Sequence, residues 1–320
     1  MPSATVIVPT YNRPRELREC IRSVLAQTVR PQEVLVVDDG DLDELPLGQE
    51  VRRAGIAYRL IRKPTPGLTE SRAAGVASSS GEIVFFLDDD VVLFPDYIER
   101  ILEVYAADGP HRIGGVGGVI VNTKPLTFAR SLRYAFNVAF LLSGFREGGV
   151  LPSGVATDFG TTPFLLRETS TVRFLSGGVS SFRREVFDTF GWSPRFDRFA
   201  VGEDKHFSIR VGHRYKLVVT PHARLYHYET PAMRPDKWAR GRGRMAGQYL
   251  VFRECVQRHG YDWIFFYHSA IGYLLARVAV AIVSRDRTEW QRVGGILHAL
   301  KAIVTDADPM EAGPANENRP

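Results

Sequence analysis

The chain has 320 residues, 44% of them hydrophobic and 24% charged, with 41 Lys and Arg against 36 Asp and Glu, a formal net charge of +5. Such a composition excludes a disordered or fibrous chain, and the length suits two compact units or one large α/β domain with an appendage. Cys20 and Cys255 are too few for a disulfide framework or a structural zinc site, and the N-terminus lacks the basic and long apolar segments of a signal peptide. A reducing, cytoplasmic setting is therefore expected.

Short apolar runs alternate with helical patterns over the first ninety residues. Thr5 to Val8 is a β-branched run stopped by Pro9, and Glu16 to Gln27 then places Leu17, Cys20, Ile21 and Val24 on one helical face. Val34 to Val37, Tyr58 to Ile61 and Ile83 to Leu87 are further strand candidates, with a small-residue helix over Gly67 to Ala77 and another carrying Ile98, Ile101, Leu102 and Tyr105. Runs that are continuously apolar are buried on both faces, which predicts a mostly parallel sheet covered by helices. Ligands bind such sheets outside the carboxyl ends of the strands. Thr10-Tyr11-Asn12, Asp38-Asp39 and Asp88 to Asp90 all follow strands, so three polar clusters converge on one edge.

Residues 108 to 171 are rich in Gly, Pro and Thr and read as a long excursion over that edge. Regular structure resumes at Val172 to Phe187, a loop carries Gly202-Glu203-Asp204, and strands are expected at Lys216 to Val219 and Ala223 to Tyr228. The stretch Arg234 to Arg258 holds seven basic residues against two acidic ones and so carries the whole net charge of +5. Trp263 to Val283 is almost wholly apolar and is followed by a second apolar helix over Val293 to Val304. A basic segment beside an apolar helix suits an anionic membrane surface. Arg277 would cost about 2.5–3.5 kcal/mol near a bilayer centre, so a docked or in-plane helix is expected rather than a span. A helix packed on the catalytic part is the other reading. The polar, proline-bearing end from residue 306 is expected to be disordered. Three regions result: 1–230, a nucleotide-binding α/β domain; 231–305, a basic and apolar helical extension; and 306–320, a tail.

Three adjacent carboxylates at a strand end repel one another unless solvated or bound to a cation. Hard oxygen ligands suit Mg²⁺ or Mn²⁺, although an acidic helix-capping turn has the same sequence. A carboxylate at the Asp38-Asp39 position can accept hydrogen bonds from a nucleobase imide or a ribose, and Asp-Gly is also a common turn. Glu203-Asp204 reads as a general-base pair or as acids favoured by a helix N-terminus. Gly114 to Gly118 lacks the strand–turn–helix setting of a dinucleotide fingerprint, and Arg240-Gly241-Arg242-Gly243-Arg244 is a single RGG-like instance, so no nucleic-acid partner is expected.

Taken in order, Val8 to Asn12, Val37 to Gly40, Leu87 to Asp90, Leu175 to Gly178 with Ser181 to Arg184, and Gly202 to Asp204 resemble family 2 inverting glycosyltransferases of the GT-A fold. The resemblance covers about Ala4 to Tyr228 and implies a metal-dependent transfer of sugar from a UDP-, GDP- or dTDP-sugar to an acceptor hydroxyl. It implies that Pro9, Thr10, Tyr11, Asn12, Asp38, Asp39, Arg72, Asp88 and Asp89 bind the donor nucleotide, and that Ala74 departs from an Asn common in the family. It further implies Asp90 and Asp88 as metal ligands joined by His227, with Mn²⁺ or Mg²⁺ as cofactor. Asp204, beside Glu203, is implied as general base, and Gly177, Gly178, Arg183 and Trp192 would lie on the sugar and acceptor side. A glycan or lipid-linked acceptor, with peripheral contact through 234–283 at the cytoplasmic face of a membrane, completes the expectation; oligomeric state is left open. Two rivals remain at this point: a sugar nucleotidyltransferase, which would normally carry a Gly-rich basic loop where Pro9 to Asn12 stand, and a non-enzymatic basic membrane- or nucleic-acid-binding protein acting through 234–258.

Overall fold

The computed structural model describes residues 1–42, 46–110, 112–123, 127–196, 201–228 and 236–310. A nine-stranded sheet forms the centre, in the order β3-β2-β1-β4-β8-β6-β9-β5, with β7 paired to β9. β1 (Ala4–Thr10), β2 (Glu33–Asp38), β3 (Ala57–Arg62) and β4 (Ile83–Leu87) run parallel, the pattern expected from their continuously apolar sequences. Each of these strands feeds two cores. Val6, Val8, Val34, Val36 and Phe85 enter one apolar cluster, while Ile7, Leu35, Val37, Val84 and Phe86 enter the other on the opposite face. Helices α1 (Pro14–Leu25), α2 (Pro46–Arg53), α3 (Leu68–Ser78) and α4 (Tyr97–Ala106) cover this half. Strand order turns at β1, between β2 and β4, so a crevice opens at the carboxyl ends of these three strands.

The second half is mixed. β8 (Val179–Arg183) lies antiparallel to both β4 and β6 (Ile113–Ile120), and β9 (Lys216–His227) runs parallel to β6 and antiparallel to β5 (Val91–Leu93) and β7 (Ser170–Val172). The excursion expected over 108–171 thus contains a central strand. Gly114-Gly115-Val116-Gly117-Gly118 has little strand propensity, but Phe182, Leu175 and Tyr97 fill the space its missing side chains leave. The same region forms α5 (Phe128–Ala139), a helix without a buried residue. The expected loop at 202–204 is the start of α6 (Glu203–Val211), and the two strands expected between 216 and 228 are one, β9.

The C-terminal part folds as α7 (Lys237–Val251), a short π-helical turn (Phe252–Val256), α8 (Asp262–Ser284) and α9 (Arg287–Val304). In α7 the glycines of the Arg-Gly repeat serve packing. A Cβ at Gly241 would lie 2.1 Å from the Arg292 carbonyl oxygen, and one at Gly295 would lie 2.1 Å from that of Trp238, so α7 and α9 pass backbone to backbone.

The fold takes up part of the basic stretch over 234–258, while Arg253 and Arg258 stay exposed. Arg242 is buried, with its guanidinium on the Met310 carbonyl oxygen, and Lys237 is paired with Asp286 and with Glu289 at 2.9 Å. Arg234 lies outside the described residues. Within the stretch expected to be disordered, residues 306–308 are exposed but Pro309 and Met310 are buried, Met310 with Phe196, Ala246 and Leu250. Residues 311–320 lie outside the described residues. Cys20 and Cys255 are both buried and free.

Candidate functional site

The turn after β4 places three carboxylates on two sides. Asp89 points inward, where it accepts a hydrogen bond from the Thr10 hydroxyl at 2.8 Å and from Arg13 at 3.0 Å. Burial, only partly offset by Thr10 and Arg13, pushes the Asp89 carboxyl up to about 6. Asp88 and Asp90 face the crevice together with His227, the last residue of β9, whose antiparallel pairing with Val91 brings it beside Asp90. His227 Nε2 is 3.0 Å from Asp90 Oδ1 and 3.9 Å from Asp88 Oδ2, and one potential ligand atom from each of the three lies within 4.8 Å of the others. The His227 strand end is held by Asn122, whose amide donates to the His227 carbonyl oxygen at 2.8 Å and accepts from its N–H at 3.0 Å. Two carboxylate oxygens and one imidazole nitrogen form a donor set suited to a divalent cation that keeps positions open for other ligands.

The neighbouring acids are bound into the same network. Arg72, on α3, is 3% exposed and reaches both Glu203 Oε1 at 2.9 Å and Asp88 Oδ1 at 3.7 Å. Glu203 and Asp204 open α6 behind Gly202, whose φ of 113° turns the chain into the helix. Asp204 Oδ2 accepts a hydrogen bond from the Gly177 N–H at 2.9 Å, and burial followed by repulsion from Asp204 pushes the Glu203 carboxyl up. Gly178 leaves room for Asp88: a Cβ there would fall 1.9 Å from Asp88 Oδ2. Burial also raises the Asp88 carboxyl, against the opposing pull of Arg72 and His227.

At the end of β2, Asp38 is fully buried, and its carboxylate accepts from the N–H groups of Gly40 at 2.9 Å and Leu42 at 2.8 Å. It holds its own turn. Asp39 points the other way and accepts from the Ser71 hydroxyl at 2.7 Å and the Gly67 N–H at 2.9 Å, with Lys63 Nζ at 3.3 Å. Asn12 has a φ of 54° and accepts from the Asp41 N–H at 3.3 Å, which ties the first strand end to the second. Pro9 lies past the part of β1 paired with β4, and Tyr11 beside it is half-buried at the crevice.

One expected residue lies away from the crevice and another borders it from behind. Arg183 ends β8 opposite Ile83, at the end of the strands away from the crevice, where it bonds the Ile113 carbonyl oxygen and pairs with Asp108 at 3.4 Å. β8 runs antiparallel to β4, so five residues beyond Gly178 the chain has reached the opposite end. Trp192 stands behind the site in an aromatic group, 4.8 Å from Phe207 and 5.5 Å from Phe86, with Arg72 and Asp204 lining the same small cavity. The sequence reading missed Arg13, Lys63, Ser71 and Asn122. Arg13 directly follows Thr10-Tyr11-Asn12 and was within reach; the other three act through side-chain bonds that no local pattern signals.

Residues 5–191, more than half of the chain, match the family described as glycosyl transferase family 2. Among curated proteins, the chain is 30% identical over 102 residues to the putative glycosyltransferase EpsH of Bacillus subtilis, covering 32% of this chain and 30% of that one. It is 29% identical over 198 residues to the glucosyl-dolichyl phosphate glucuronosyltransferase of Haloferax volcanii, covering 57% and 53%. The chain thus spans about a third to a half of the length of these relatives. Solved structures are similar in fold: S. aureus TarS 1-349 in complex with UDP-GlcNAc, with a TM-score of 0.57 and 15% identity over 94% of this chain and 81% of that one. The mannosyltransferase PcManGT of Pyrobaculum calidifontis, in complex with GDP-Man and Mn2+, gives a TM-score of 0.54 and 18% identity over 95% and 88%. These likenesses show the mixed α/β architecture of the GT-A type, and with the family match over the first three strand ends and the acidic turn, the chain belongs to glycosyl transferase family 2.

Proposed function

We propose that the protein transfers a sugar from a nucleoside diphosphate donor to an acceptor hydroxyl with inversion at the anomeric carbon. The observation that carries this reading is the convergence of Asp88, Asp90 and His227 with the Glu203-Asp204 pair, Arg72 joining Asp88 to Glu203. Asp88, Asp90 and His227 would hold a divalent cation, and the mixed oxygen and nitrogen donors favour Mn²⁺ over Mg²⁺. When bound, such an ion offsets charge on the departing diphosphate. Asp39, Tyr11 and Asn12 face the nucleoside, while Thr10, Asp38 and Asp89 hold the strand ends that carry them.

Asp204 acts as general base. Its two oxygens are fixed by the N–H groups of Gly177 and Lys205, whereas Glu203 is held by the charged Arg72, which favours Asp204 as the carboxylate of the pair to take a proton. The acceptor oxygen bonds to the anomeric carbon as the bond to the diphosphate oxygen breaks, the acceptor proton passes to Asp204, and nucleoside diphosphate departs. A lipid-linked acceptor is supported by the Haloferax volcanii relative, whose name specifies glucosyl-dolichyl phosphate. The test is release of nucleoside diphosphate from UDP-, GDP- and dTDP-sugars with Mn²⁺ and a lipid extract. Asp204→Asn is expected to lower turnover by ~10²–10⁴ with donor affinity retained. Equal turnover in the variant, or no release from any donor, would refute the assignment.

A further inference from the structure

The C-terminal helices bury Arg242 and pair Lys237, but leave a large apolar surface uncovered by any described residue. α8 packs one side, through Phe266, Ser269 and Ala270, against the core formed with α7 and α9. Its other side shows Ile264, Ile271, Leu275 and Ile282, spaced at seven, four and seven residues and so aligned along one helical face. This is the one helix among the described residues that is long and apolar enough to cross a membrane. Its packed side ties it to α7 and α9, so it is built to lie along a boundary. α5 extends the surface. Its apolar face bears Phe128, 86% exposed, and Leu132, 65% exposed, and it meets α8 where Phe140 stacks on His268 at 5.1 Å and His268 Nε2 lies 2.8 Å from the Ala139 carbonyl oxygen.

We propose that α5 and α8 together form a face that lies in the plane of an anionic lipid bilayer. Arg133 on the polar side of α5, and Arg285 and Arg287 at the end of α8, are exposed around it. Neither helix carries an acidic residue except Asp262, which is buried and accepts the N–H groups of Arg258 and His259. A bilayer surface supplies the missing negative charge, whereas a second copy of this chain would bring the same cations together. Tyr261 and Trp290, both exposed beyond the two ends of α8, have the amphipathic character of residues at a headgroup boundary.

The idea rests on the transfer reading only in giving a lipid-linked acceptor a route to the crevice. Binding is therefore measured without donor or metal, and its failure leaves the transfer reading untouched. The protein is floated with vesicles of phosphatidylcholine alone and with added phosphatidylglycerol. Flotation is expected with the anionic vesicles, with at least a tenfold loss for Phe128→Asp with Leu132→Asp and for Ile271→Asp with Leu275→Asp. Hydrogen exchange on the unaltered protein, independent of any variant's folding, should show vesicle-induced protection over 128–139 and 264–283. No flotation, equal binding by folded variants, protection elsewhere, or a dimer broken by the same substitutions would each overturn the proposal.

Discussion

Asp88 owes its position to a residue with no side chain. Gly178 approaches so closely that any Cβ would displace the carboxylate, while Gly177 next to it presents its N–H to Asp204. Gly178→Ala should therefore shift a metal ligand without unfolding the sheet. Affinity for Mn²⁺, read by titration in the absence of donor, is expected to fall roughly 10–100-fold, the range for disturbing the support of a metal ligand. Unchanged affinity would place the cation away from Asp88. Thr10, Arg13 and Asp89 illustrate a related point. A run of three aspartates looks uniform, yet the backbone turns the middle one into the protein, where a hydroxyl and a guanidinium occupy it.

At the scale of elements, α6 is held by the C-terminal part of the chain. Two residues after Asp204, the buried His206 meets Glu254 on the π-helical turn, Nε2 to Oε2 at 2.7 Å, and Glu254 also takes Arg195 at 2.7 Å. His206 Nδ1 has no hydrogen-bond partner, which suits a neutral ring with its proton on Nε2. Burial pushes the His206 pKa below its ordinary 6.5, against the opposing pull of Glu254. The sign follows: the unfolded chain binds the proton first, so this stabilisation is present above about 6.5 and is lost as pH falls through that range. The stability difference between the protein and His206→Gln, measured by urea unfolding, should shrink between pH 7.5 and 5.5, by no more than ~1.4 kcal/mol per pH unit. A constant difference would exclude a lowered His206 pKa. α5 shows the opposite case, an amphipathic helix whose apolar side is left open by every element among the described residues.

For the whole molecule, the boundary expected near 230 crosses a shared core. Ala156, Phe174 and Ile209 from the sheet part pack with Val251 and Cys255 from the C-terminal helices. A chain ended at residue 230 loses both of these contacts and the Glu254 anchor. With ~1.5–3 kcal/mol for each buried apolar side chain, its melting temperature should fall by at least ~5 °C, a shift that calorimetry would detect. An unchanged melting temperature would make the two parts independent. The net charge of +5 is likewise a whole-molecule property. In sequence it collects in one stretch, but helix packing pairs or buries part of that stretch, and the cations left around the apolar face come from other segments.

Four parallel strands, the helices α1 and α3 between them and the three polar strand ends were legible in the sequence alone, because burial on both faces demands unbroken apolar runs and because Pro, Asp and Gly punctuate them; α2 was not. The clustering of Asp88, Asp90 and Asp204 followed from that arrangement together with the family resemblance. β6 was not legible, since a glycine-rich strand is stabilised by the rings of Phe182 and Tyr97 that lie beside it rather than by its own propensity. Nor was the separation of Asp38 from Asp39, or of Arg183 from Gly178, because strand direction and turn hydrogen bonds choose which side chains face the crevice. Local pattern determined what kinds of elements form and where chemistry could gather. Only the tertiary structure decided which polar groups are consumed by the fold and which stay available, because that choice depends on partners distant in sequence.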